Sequence, residues 1–157
     1  MMATQTQPPE AHCASVWCQV PAQQAFAFLA DGLALGQWAL GAWHTVAVGE
    51  GVVRGQSLFD DQPSWVRPVG DLARLTIDYH VGSSPDALQP RISAVVQAGE
   101  SSGRGAGCCQ VSLHAVRSPG MDDARWLRLV RCHEVEVLLI EARLALQAAS
   151  TTPRDTA

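Results

Sequence analysis

The sequence predicts an α+β domain in which a curved, seven-stranded antiparallel sheet wraps around a long C-terminal helix, with two short helices between the first two strands. Three observations carry this. Residues Met121 to Ala148 have helical periodicity, with Trp126, Leu129, Val130, Val137, Ile140 and Leu144 on one side and Arg128, Arg131 and Arg143 towards the other; Leu138, Leu139 and Leu146 are apolar exceptions. From Gly41 to Val116 the chain reads as strands joined by short turns, which favours an antiparallel meander. A helix of this length is a rod of roughly 40 Å, and its apolar stripe needs the upstream sheet as a cover.

Each element has a local reason. Residues 1–10 (MMATQTQPPE) have little to bury and are expected to form a disordered tail, as are residues 150–157, leaving a single domain over 11–149. His12 to Val20 reads as a strand. Pro21 follows where a first helical turn accepts it, and Ala25, Phe26, Phe28 and Leu29 give a short helix with an apolar side. Asp31-Gly32 breaks that helix, and Leu33 to Leu40 supports a second one containing Trp38. Ala42 to Val48 and Val52 to Phe59 are strands around a Gly49-Glu50-Gly51 turn. This Gly-x-Gly precedes no helix, so it is a poor phosphate cradle. Ser64 to Val69 is a short strand carrying Trp65 and Arg67. Asp71 to Val81 alternates most clearly, with Leu75, Ile77, Tyr79 and Val81 on one face and Arg74, Thr76, Asp78 and His80 on the other. Pro90 to Ala98 and Cys108 to Val116 are the last strands, joined by a flexible Gly99 to Gly107 connection; Cys109, Val111, Leu113 and Ala115 are expected inward. Asp122 is placed to cap the long helix.

Composition narrows the function. A chain of 157 residues with 47% apolar and 17% charged residues can bury a core without staples. No run of eighteen apolar residues exists, and the N-terminus lacks the basic and apolar regions of a secretory signal, so neither integral membrane association nor export is expected. Five cysteines are taken as reduced, partly buried thiols in a cytoplasmic protein, because Cys13/Cys18 and Cys108/Cys109 point to opposite faces of their strands. The net charge is −4 and the eleven cationic residues are all arginine, spread along the chain. Arg125, Arg128 and Arg131 fit a solvated helix face, and nucleic acid is not an expected partner. With no lysine, Schiff-base and P-loop chemistry are ruled out. His133-Glu134 offers too few ligands for a metal, so no metal and no cofactor is expected. No Gly-x-Ser-x-Gly elbow supports a serine triad.

Particular residues follow the same order along the chain: a first strand running into Pro21, then Ala25-Phe26-x-Phe28-Leu29-x-Asp31, then Trp38. The Gly49-Glu50-Gly51 hairpin with Gly55, the Asp78-Tyr79-x-Val81 strand and the terminal Trp126 to Leu146 helix complete the set. Over about His12 to Ala148 the chain resembles the SRPBCC superfamily of START-like lipid-transfer proteins, polyketide cyclases and dehydratases, and plant allergen-type ligand carriers. The resemblance implies a helix-grip fold with a central apolar cavity. It supplies no catalytic signature, so it leaves carrier and enzyme both open.

His133 sits among apolar side chains of the long helix. It is either a proton shuttle or a core histidine satisfied by a backbone carbonyl or by Glu136. Tyr79 could orient a carbonyl, or be plain core with its hydroxyl at the rim. Trp38, Trp43, Trp65 and Trp126 supply flat walls for a ring-bearing ligand, with Ile77, Leu113, Val130 and Val137 beside them. Arg54 and Arg67 are expected near the cavity mouth, with facing undetermined. The first expectation is a carrier or sensor for a small hydrophobic or aromatic molecule, the chain acting alone or as a homodimer. The second is a cyclase/dehydratase-like enzyme using His133 and Tyr79. The third is a protein-interaction domain with a vestigial cavity.

Overall fold

Alternation along the strands decides which side chains form the core of the computed structural model, which describes residues 10–151. In β7 (Cys109–Val116), Cys109, Val111, Leu113 and Ala115 are buried, and the residues between them are partly exposed. In β5 (Thr76–Gly82), Ile77 and Tyr79 are buried in the same way. With β1 (Ala11–Cys18), β2 (Trp43–Gly49), β3 (Val52–Gln56), β4 (Pro63–Asp71) and β6 (Gln89–Ala98) they form one seven-stranded sheet in the order β1-β7-β6-β5-β4-β3-β2. Every neighbouring pair is antiparallel. The chain starts at one edge, crosses to the other through two helices, and meanders back until β7 lies beside β1.

The crossing begins with α1 (Ala22–Ala30), whose first turn is closed by the Pro21 carbonyl accepting from the backbone N–H groups of Gln24 and Ala25. Asp31 ends it, and its carboxylate accepts from the Leu33 N–H at 2.9 Å to open α2 (Gly32–Leu35). This second helix is one turn long, not the Leu33 to Leu40 piece expected. Beyond Leu35 the chain bends so that Gly36 lies against the Thr45 backbone, where a Cβ would collide, and so that Trp38 turns into the core. Three strands also differ from expectation. β3 stops at Gln56, β4 runs on to Asp71, and β5 starts only at Thr76. For β4 and β5 the reason lies in a tight turn at 72–75: the Asp71 carboxylate accepts from the Arg74 N–H, and Leu75 takes a left-handed φ of 56°. The Gly99 to Gly107 connection opens with a 3-10 turn over Gly99–Ser102.

The long helix α3 (Asp123–Thr151) is capped as expected, the Asp122 carboxylate accepting from the Arg125 N–H at 2.8 Å. It packs against β1 and β7. Its Val137, Ile140 and Leu144 join Phe28 and Leu29 of α1, Ile77 and Leu113 in one core cluster. A smaller cluster at the start of the helix holds Ala115, Met121 and Trp126, with Leu129 and Val130 against it. Arg117 ties three segments together by bonding the Glu10 and Asp123 carboxylates and the Met121 carbonyl. Glu10 is therefore anchored, and Ser150 and Thr151 are helical, with hydroxyls donating to the Gln147 carbonyl. The rest of the two expected tails lies outside the described residues. The five cysteines are free. Reading them within segments missed one relation: Cys18 and Cys109 face each other across β1 and β7, both buried. Among the described residues, no helix is long and apolar enough to cross a membrane.

Candidate functional site

Between α3, the segment after α2, and strands β4 to β6 lies a cavity of about 490 Å³, within the roughly 300–1,000 Å³ usual for small-molecule sites. Trp38, Tyr79, Val81, Ile92, His133 and Glu136 are among the side chains lining it. Trp38 and Tyr79 meet edge to face, ring centres 5.8 Å apart, and make a rigid aromatic corner. The mouth is formed by exposed residues: Phe59 and Asp60 from the β3–β4 loop, Arg91 from β6, and Arg125 and Arg128 from the first turns of α3.

Helical spacing explains the α3 contribution. Trp126, Val137, Ile140 and Leu144 form the dry stripe, His133 lies on it where it borders the cavity, and Arg125, Arg128, Leu129, Cys132 and Glu136 form a second stripe about a quarter-turn away. The second stripe faces the cavity. It carries most of the polar groups there, which is why a search for apolar periodicity placed Arg125 and Arg128 on a solvated face. Arg125 and Arg128, expected on the outer face, belong to this cavity side.

Burial sets the electrostatics. Glu136 is 6% exposed, and loss of hydration pushes its carboxyl up to about 7, against a smaller opposing pull from the Leu40 N–H, which donates to it at 3.3 Å. His133 is pushed down to about 4, first by burial and then by the nearby His12 and His114 rings. It is a neutral imidazole at pH 7, and its Nδ1 is buried with no hydrogen-bond partner among the described residues. Neither satisfying arrangement expected for it occurs: Glu136 bonds Leu40 instead, and the ring nearest His133 is that of His12, 6.4 Å away between centres. Cys132 is pushed up to about 11, chiefly by burial, so its thiol is not a nucleophile near neutrality.

The expected site residues divide into groups. Trp38, Tyr79 and His133 come together on the cavity. The Tyr79 hydroxyl donates to the Leu29 carbonyl at 2.8 Å, joining β5 to α1, so its one proton is engaged in the fold. Ile77, Leu113 and Val137 sit in the core cluster, and Trp126 and Val130 in the smaller one. Trp65 is half-buried on β4. Trp43 and Arg54 lie on an adjoining depression of about 640 Å³ along β2, β3 and the loop after them, which shares Ser57, Phe59, Asp60 and Pro63 with the cavity. Arg67 donates from Nε to the Glu50 carbonyl, within the sheet's hairpin end. The sequence reading missed Glu136 as a site residue, and missed the arginines of the mouth. A carboxylate three residues beyond His133 and four before Ile140 was the available signal, since an acid at the edge of an apolar stripe needs a reason to be there.

No protein-family model matches the chain, and no curated protein matches it by sequence. Solved structures do match. The Zhui aromatase/cyclase of Streptomyces sp. R1128 superposes with a TM-score of 0.67 at 18% identity, over 92% of this chain and 99% of that one. A START superfamily protein from Mycobacterium smegmatis gives 0.61 at 12% identity, over 87% and 98%. The protein Ara h 8.0201 gives 0.59 at 13%, over 88% and 99%. The fold is the helix-grip fold that these structures share. At these identities the likeness is one of backbone, and the shared frame accounts for where the cavity is, not for what occupies it.

Proposed function

We propose that this chain binds a small hydrophobic or aromatic molecule in the cavity between sheet and α3, as a carrier or sensor. The observation that carries the reading is the cavity wall itself: Trp38 and Tyr79 edge to face beside Val81 and Ile92, with no charged group among these four. The SRPBCC neighbours, a cyclase and a START protein among them, support a ligand-holding frame. The free thiols support a reducing compartment such as the cytoplasm. Fluorescence titration with the neutral probe N-phenyl-1-naphthylamine tests it. Saturable binding is expected, weakened at least about tenfold by Ala39→Trp, which places an indole into the cavity at a lining position. Unchanged affinity in that variant, with the fold intact by circular dichroism, would place the probe elsewhere.

One observation favours a second reading, proton transfer on a bound carbonyl compound of the cyclase/dehydratase kind. A carboxyl held near 7 and opening on an apolar cavity exchanges protons readily at neutral pH. In this reading Glu136 is the acid/base, with neutral His133 beside it on the same helix; Tyr79 holds the wall. Exchange of the α-protons of 2-tetralone in D2O, followed by NMR, is expected to be accelerated by the wild type and not by Glu136→Gln. Equal rates with both would remove the catalytic reading and leave binding untouched.

A further inference from the structure

The mouth of the cavity has a charge pattern that the interior lacks. Arg91, Arg125 and Arg128 stand around it, and the only carboxylates on the same lining are Asp60 at the rim and Glu136 inside. None of the three arginines is in a salt bridge among the described residues. Arg91 donates one N–H to the Ser118 hydroxyl, Arg128 lies over the Phe59 ring at 5.0 Å, and Asp60, which accepts from the Gln62 N–H, is near enough to attract Arg128, so one carboxylate faces three guanidinium groups. In a chain whose net charge is −4, this rim is a local excess of cation. Guanidinium groups are weakly hydrated and present paired N–H donors, the geometry that suits an oxyanion.

Inside, the pattern changes. Glu136 is the polar group at depth and the lining arginines are all at the exposed mouth, so an anion drawn inward would lose hydration without gaining a cationic partner. Attraction at the rim and this desolvation cost within define a direction along the cavity. We infer that the ligand is an amphiphile with an aromatic or alicyclic body and a compact oxyanionic group, bound body-first so that the anion rests between Arg91, Arg125 and Arg128. This rests on the binding function proposed above and adds the ligand's polarity and orientation to it.

Two probes that share one aromatic body separate the two ideas: N-phenyl-1-naphthylamine, which is neutral, and 1-anilinonaphthalene-8-sulfonate, which carries an oxyanion. The sulfonate is expected to bind the wild type about tenfold tighter than the amine. Raising KCl from about 20 mM to about 300 mM should weaken the sulfonate alone, because the rim is exposed to screening. The double variant Arg125→Gln/Arg128→Gln is expected to remove most of the sulfonate's advantage over the amine, weakening the sulfonate at least about fivefold more than the amine. Equal wild-type affinities, or a sulfonate preference that survives the double variant, would overturn the inference while leaving a neutral-ligand cavity in place. No binding of either probe would overturn both. Both substitutions are at exposed positions, and matching thermal unfolding curves verify that the fold is retained.

Discussion

Burial acts on Glu136 and His133 in opposite senses, and the molecule's response to pH follows. The Glu136 carboxyl rises from an ordinary 4.5 to about 7, so between those values the folded state holds a proton that the unfolded state has released. Its contribution to stability is present below pH 4.5 and is lost as pH rises to 7. His133 falls from an ordinary 6.5 to about 4, so its contribution is present above pH 6.5 and is lost as pH falls to 4. Each effect is on the order of 3 kcal/mol, and over their shared range they oppose. Urea unfolding at pH 4 to 8 is expected to show a shallow profile for the wild type. Glu136→Gln should become more stable with rising pH through 4 to 6.5, and His133→Asn less stable through 4.5 to 7; parallel profiles would contradict these assignments. Tyr79→Phe tests a different role. With its hydroxyl engaged by the Leu29 carbonyl, the variant should lose about 1–3 kcal/mol of stability and leave probe affinity unchanged. A large loss of affinity at constant stability would instead give the hydroxyl to the ligand.

At the scale of elements, α3 is a helix with three faces, and sequence periodicity shows only two. Leu144 lies in the core with no exposed surface and Leu138 is 58% exposed. Leu144→Ala is therefore expected to cost about 2–5 kcal/mol, and Leu138→Ala less than about 0.5 kcal/mol, both measured by chemical unfolding. Gly55 of β3 makes the parallel case in the sheet: a Cβ there would sit 2.5 Å from the Ala42 carbonyl carbon, so Gly55→Ala should cost about 1–3 kcal/mol by overpacking. The dry stripe of α3, the inward residues of β7 and the cap at Asp122 were legible because burial and capping leave a periodic or local mark in the chain. The cavity stripe was not. Arg125, Arg128, Cys132 and Glu136 look like a solvated face when hydropathy is the only guide, because a cavity wall and a wet surface both accept polar side chains. The turn at 72–75 was missed for another reason: Leu75 continues the alternation of Ile77, Tyr79 and Val81, and only its left-handed φ and the Asp71 cap show that the backbone has turned. Cys18 opposite Cys109 depends on strand register, which residues distant in sequence decide together.

Among the described residues two hollows of similar size adjoin each other, and which one takes the ligand tests the placement on which the proposed function rests. One is the cavity gripped between sheet and α3, with Trp38 in its wall; the other is the outer depression along β2 and β3, with Trp43. The sheet closes over the first because β1 is drawn beside β7 and under α3, while α1 and α2 bridge to the far edge. Five tryptophans give five indole N–H signals, assignable by single Trp→Phe substitutions, and the Trp38 Nε1 is buried with no hydrogen-bond partner among the described residues. Following these signals in a ¹⁵N-labelled sample as N-phenyl-1-naphthylamine is added gives the most direct test. A ligand held between sheet and helix moves the Trp38 signal in proportion to occupancy and leaves Trp43 in place. Movement of Trp43 with Trp38 unchanged would contradict it.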